Sequence, residues 1–176
     1  MEEMKVKATG IVRRIDDLGR VVVPKEIRRT LRIREGEIIL KKYSPIGELG
    51  QFAKQYADSL AQTTGHIIAI SDRDQFIAVA GSAKKDLINK SISHNLEEII
   101  GERESVVASR EDKNFIKIIN EDDSEYTAQV IWPIISEGDA IGSVLILTKD
   151  AKVKFTDVEV KLASTAAVFL GRQMEQ

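Results

Sequence analysis

The run Asp17-Leu18-Gly19-Arg20-Val21-Val22-Val23-Pro24-Lys25-Glu26-Ile27-Arg28-Arg29 contains a turn, a strand and a helix start in immediate succession. Asp16 to Gly19 supplies turn chemistry, with Gly19 free to take a backbone conformation that other residues resist. Arg20 to Val23 reads as a strand. Pro24 then stands where a helix begins, a position at which its fixed φ and missing N–H cost nothing. Working outward, Lys7 to Ile15 is a β-branched strand before the turn. Lys25 to Leu31 is a short helix, Glu35-Gly36 turns the chain, and Ile38 to Tyr43 is a further strand.

The charge on this segment is patterned. On the short helix Ile27 and Leu31 share a core face, while Lys25, Arg28, Arg29 and Arg32 recur at spacings of three, four and seven on the opposite face. Such stacked cations repel one another by a few tenths of a kcal/mol per pair, about 0.2–0.5. A phosphate backbone would reward that arrangement. Arg13 and Arg14 before the turn and Arg20 after it crowd one end of the hairpin. Arginine suits bidentate contact with phosphates and guanine edges. A solvated basic face, partly neutralised by Asp16, Asp17 and Glu26, is the plainer alternative.

Residues 1–46 hold 12 Lys/Arg and 7 Asp/Glu, and residues 47–176 hold 14 and 21, so a basic head precedes an acidic body within a net charge of −2. Ser44-Pro45-Ile46-Gly47 punctuates the two, and the expected domains are 1–46 and 47–176. The chain has 0 cysteines, which excludes disulfides, thiolate metal sites and cysteine nucleophiles. No signal peptide or membrane-spanning run is read, so the expected location is cytoplasmic.

The body opens with a helix over Glu48 to Ala61, whose apolar stripe is Leu49, Phe52, Ala53, Tyr56, Ala57 and Leu60. Strands are expected at His66–Ser71, Phe76–Ala80, Phe115–Ile119, Tyr126–Ile134 and Ala140–Leu147, with mixed helix over Lys84 to Ile100. A last helix starts at Thr156, where Thr156 and Glu159 match a capping box. The expected body is a mixed sheet flanked by helices, with its first and last helices packed together.

Catalysis finds little support. His66 and His94 lack ligand spacing, no serine has a nucleophile-elbow context, and no phosphate-binding glycine loop is present. The acidic run Glu121 to Glu125 lacks the periodicity and glycine of a calcium loop and reads as solvated. Ile70, Phe76, Val79, Ile131, Trp132 and Ile146 either line a cavity or fill a core; core is the simpler reading. No enzyme activity, cofactor or metal is expected.

The segment Lys7 to Ile33, above all Asp17 to Pro24 followed by Glu26-Ile27-Arg28-Arg29, resembles the N-terminal domain of AbrB-type transition-state regulators. Within that family the whole chain is most similar to the sporulation members that carry a C-terminal GAF domain. The resemblance implies an α+β chain: a swapped-hairpin, β-rich head and a GAF-like sheet flanked by helices. It implies DNA contacts at Arg13, Arg20, Arg28 and Arg29; helix geometry and proximity add Arg14, Lys25 and Arg32. It further implies control of sporulation or transition-phase genes, nucleoid association, double-stranded DNA as partner, and self-pairing through the heads.

Paired bodies would extend such a dimer to a tetramer, and the GAF-like body implies an unidentified small ligand. One departure stands out. After Arg34-Glu35-Gly36 the family has a further strand and turn, and here Glu37 leads straight into Ile38; the missing piece is roughly five to ten residues. Two other readings remain: a small-molecule-binding GAF protein with a degenerate head, and an antitoxin-like module whose head binds an acidic protein.

Overall fold

The computed structural model describes residues 25, 50–120 and 125–175. By its internal contacts the chain divides into two compact units, Met1–Lys41 and Lys42–Gln176. In the first, Lys25 is helical and exposed. The hairpin, the arginines and the shortened segment after Gly36 lie outside the described residues.

The second unit runs α1 (Gly50–Thr64), β1 (Ile67–Ser71), β2 (Phe76–Ala80), α2 (Lys84–Leu87), α3 (His94–Glu102), β3 (Val106–Ser109), β4 (Ala128–Ser136), β5 (Asp139–Thr148) and α4 (Asp157–Gln173). The strands form one sheet in the order β2-β1-β5-β4-β3. Every neighbouring pair is antiparallel, which corrects the expectation of a mixed sheet. The β4–β5 turn places Glu137 and Gly138 both at positive φ, 49° and 86°, as a tight two-residue hairpin requires.

Both faces of the sheet are covered. On one face Ile68, Ile70, Val130, Ile134, Val144 and Ile146 pack against Ala53 and Ala57 of α1 and Ala163, Ala166, Ala167 and Leu170 of α4. On the other, Ala69, Ile131, Leu145 and Leu147 meet Leu87 of α2 and Leu96, Ile99 and Ile100 of α3. A strand buried on both faces must be apolar throughout, which is why Ile67–Ser71 and Asp139–Thr148 read as continuous runs. Small residues on α1 and α4 bring those helices close to the sheet. The first and last helices pack together as expected, with Phe52 and Tyr56 both stacked on Phe169 at 5.6 and 5.4 Å.

Three other expectations need correction. Phe115–Ile119 is not a strand, because its backbone groups are engaged by side chains and a cap. In the orientation that satisfies its amide, Gln129 donates to Ile116 O and accepts from Ile116 N–H, at 3.1 and 2.7 Å. Ser93 Oγ donates to Lys117 O at 2.6 Å, and Ser93 N–H to Ile118 O at 2.8 Å. The mixed helix over 84–100 is two helices, α2 and α3, the second capped by Ser93 accepting from Leu96 N–H. The short edge strand β3 carries a buried–exposed alternation over only four residues and was not anticipated.

Gly171 of α4 lies hard against β4. A Cβ there would lie 2.0 Å from Ile135 O of β4. Gly171→Ala is expected to destabilise the body by about 3 kcal/mol, since the helix must lift off the strand. A urea denaturation midpoint unchanged from the parent chain would contradict this packing.

Candidate functional sites

Of the residues expected to meet DNA, Lys25 is helical and exposed. Arg13, Arg14, Arg20, Arg28, Arg29 and Arg32 lie outside the described residues.

The six residues named as cavity or core fall on opposite sides of the sheet. Phe76, Val79 and Ile131 belong to the α2/α3 face, while Ile70 and Ile146 belong to the α1/α4 face with Trp132 packed against it. Five of them are at most 1% exposed. They are packed core on two faces and cannot line one cavity.

Two surface clefts lie elsewhere. One, of about 420 Å³, sits between the β1–β2 turn and α3 and is lined by Arg73, Asp74, Glu97, Ile100 and Gly101. The other, of about 280 Å³, is lined by Lys90, Ser91, Ile119 and Asn120. Composition and periodicity gave no sign of either, because each joins segments distant in sequence.

The first cleft has a rigid wall. Asp72, 3% exposed, accepts from Asp74 N–H and Gln75 N–H through Oδ1 at 2.7 and 2.8 Å, and the Asp74 carbonyl accepts from Ile92 N–H at 2.9 Å. The opposite wall, the end of α3, is built against local preference. Gly101 stands inside the helix, where glycine costs about 1 kcal/mol relative to alanine. Apart from its chain neighbours and its own helix backbone, nothing described lies within 4 Å of its missing Cβ, so packing does not require it. Arg103 closes the helix at φ 60°, the left-handed conformation that glycine usually supplies.

His66 and Glu159 tie β1 to α4. His66 Nε2 lies 3.6 Å from Glu159 Oε1, with both side chains about 85% buried (exposures 15% and 14%). The His66 ring meets Phe155 edge-on at 5.1 Å. Glu159 Oε2 accepts from Thr156 N–H at 2.7 Å and Thr156 Oγ1 at 2.9 Å, and Thr156 Oγ1 accepts from Val158 N–H at 3.2 Å, completing the expected capping box. Burial pushes the Glu159 carboxyl up. The backbone N–H groups of Thr156 and Glu159, the Thr156 hydroxyl and His66 together outweigh it and hold the carboxyl below its ordinary 4.5.

His94, at the exposed start of α3, lies 3.6 Å from the exposed Glu97. Neither histidine joins a metal-binding group among the described residues. Among those residues no helix is long and apolar enough to cross a membrane.

An antiparallel five-stranded sheet with α1 and α4 on one face and shorter helices on the other is a GAF-like body. The GAF domain of an Acinetobacter phosphoenolpyruvate-protein phosphotransferase aligns with a TM-score of 0.60 at 12% identity, covering 72% of this chain and 81% of that one. A methyl-accepting chemotaxis protein fragment aligns with a TM-score of 0.59 at 16% identity, covering 72% and 88%. These likenesses define the fold class of the body, a GAF-like domain.

The family itself comes from sequence. Residues 48–175 match the family described as "Stage V sporulation protein T C-terminal, transcription factor". Stage V sporulation protein T of Bacillus subtilis is 54% identical over 182 residues, spanning 97% of this chain and all of that protein. The chain belongs to the stage V sporulation protein T family of transcription factors.

The transition state regulatory protein AbrB of Bacillus subtilis is 54% identical over 52 residues, covering 24% of this chain and 54% of that protein. The head is therefore AbrB-type. A share of 24% of 176 residues is about 42, so the 52 aligned positions leave about ten of AbrB without a counterpart here. That accords with the piece missing after Gly36.

Two predictions follow from the local geometry. Arg103→Gly relieves the left-handed cap and should stabilise the body by about 1 kcal/mol, read as a higher urea midpoint at unchanged slope. Because the folded-state acidity of Glu159 is increased, its contribution is fully present above pH 4.5 and is lost as pH falls below that value. Glu159→Gln should therefore flatten the fall of melting temperature between neutral and acid pH. Parallel curves for the two proteins would show that Glu159 gives no such linkage.

Proposed function

We propose that the chain is a DNA-binding regulator of sporulation or transition-phase genes, read through the basic head and modulated by the GAF-like body. The observation that carries this is the 54% identity to stage V sporulation protein T along essentially the whole chain. In this reading residues 1–46 form a swapped-hairpin head shared between two chains. Arg13, Arg20, Arg28 and Arg29 meet phosphates and base edges, with Arg14, Lys25 and Arg32 adding to the electrostatic footprint. Residues 47–176 set the oligomeric state and sense a small ligand. The protein works in the cytoplasm on nucleoid DNA and catalyses no reaction.

Self-pairing of the bodies is supported by the outer face of α4. Val158, Lys161, Thr165, Val168 and Arg172 are all exposed and recur at alternating spacings of three and four, the period of a helix–helix seam. Val158 and Val168 are 60% and 50% exposed, and Phe52 on the neighbouring α1 is 40% exposed. Paired heads and paired bodies together give a tetramer. Light scattering on the purified chain should report four subunits, and Val168→Glu should reduce it to two; a monomeric parent chain would refute the scheme.

A second reading, a ligand-binding GAF protein with a degenerate head, draws on the ten or so AbrB positions that have no counterpart here. Fluorescence anisotropy with duplex DNA across a salt series separates the two. The first requires binding that falls log-linearly with salt, with a slope near −0.9 per phosphate contacted. Arg28→Ala and Arg29→Ala should each weaken binding by about 1–3 kcal/mol while leaving the melting temperature unchanged. A folded chain that binds no DNA at low salt supports the second.

A further inference from the structure

We propose that the turn after β3, residues 110–114, is a guard that closes the free edge of the sheet and keeps the body from joining a second copy of this chain strand to strand. The inference stands apart from the DNA reading and from any pairing through α4.

β3 is an outer strand of the sheet, with β4 as its one strand neighbour. In an antiparallel pair the positions alternate. One residue exchanges main-chain hydrogen bonds with its partner, and the next turns its N–H and C=O away. Arg110 N–H donates to Thr127 O at 2.8 Å, and the register steps back from there through Ser109–Ala128, Ala108–Gln129, Val107–Val130 and Val106–Ile131. Ala108 and Val106 are therefore the bonded positions, and Val107 and Ser109 point their main-chain groups outward. Such a row is a template for a further strand.

The turn fills that row. Asp112 Oδ2 accepts from Ser109 N–H at 2.7 Å, and Asp112 N–H donates to Ser109 O at 2.8 Å. Asn114 Nδ2 donates to Val107 O at 3.2 Å. Three of the four outward groups are thus taken by the residues that directly follow the strand. The fourth, Val107 N–H, has no partner among the described residues. The other edge of the sheet is closed by main chain: Phe76 of β2 donates its N–H to Lys90 O at 3.0 Å and accepts from Asn89 N–H at 2.9 Å. β3 relies on its own turn, whose Asp112 and Asn114 are exposed.

What the guard prevents follows from β3 itself. Val107 is β-branched and 44% exposed, and among the described residues it is the only exposed large apolar side chain outside α1 and α4. A two-fold axis pairs a strand with itself. Two copies of β3 set antiparallel and centred on Val107 would bring those side chains together and join two five-stranded sheets into one.

Asp112→Ala with Asn114→Ala in the full chain removes the guard. Light scattering over a concentration series should then give at least about twice the mass of the parent chain, since an isologous contact joins two parent assemblies. Adding Val107→Lys to that variant should restore the parent mass, because like charges set opposite each other oppose strand pairing. The parent mass in the double variant, or an enlarged mass that Val107→Lys does not reverse, would overturn the proposal. Backbone amide exchange in the unaltered chain gives a readout that does not depend on any variant folding. The Ser109 and Val107 amides both point away from the sheet, and only that of Ser109 donates to a carboxylate. After correction for intrinsic rates, Ser109 should exchange at least about tenfold more slowly than Val107. Equal exchange would mean that Asp112 does not hold the edge, and the guard would fail on that result as well.

Discussion

The burial of one sheet on both faces governs the body. β5 runs through the middle, paired with β1 on one side and β4 on the other, and its side chains alternate between two separate cores. Neither face has a solvent side to which a polar residue can turn. The polar residues that do occur are therefore spent in pairs or on backbone groups. Ser71 and Ser143 face each other with their hydroxyl oxygens 2.7 Å apart, and the Gln129 amide is engaged with Ile116. The helices follow from the same constraint: α1 and α4 carry alanines and Gly171 toward the sheet because close approach leaves no room for larger groups.

Much of this was legible in the sequence, for identifiable reasons. The helix stripe of α1 and the capping box at Thr156 each state their geometry within a few residues. Phe115–Ile119 misled because β-branched composition reports a preference for extended backbone and not the partner that satisfies it. Here those partners are Gln129 and Ser93, remote in sequence. The antiparallel order likewise depends on β1 finding β5, which no local pattern announces. The same holds for the cleft, whose two walls come from the β1–β2 turn and from α3.

In the head, chemistry was more legible than architecture. Cations at helical spacing give an expectation of a polyanion-facing surface on physical grounds, and of those residues the structure describes Lys25, which is helical and exposed. The sequence reading also expected a shortening after Gly36. The alignment to AbrB is longer than the stretch of this chain that it covers by a similar amount.

The pairing of β1 with β5 has a consequence for how the chain is made. Ser71 and Ser143 are 72 residues apart, and Ile67 meets Leu147. During synthesis the head and the first strands leave the ribosome well before β5 exists. Until then β1 has only the short β2 beside it, and a two-stranded hairpin does not hold alone. The β4–β5 hairpin, joined by its tight turn, can form as soon as it emerges and offers its free edge to the waiting β1. The body thus closes from its C-terminal half backward, against the direction of translation. The residues of the head are outside the ribosome for that whole interval before the domain behind them is complete.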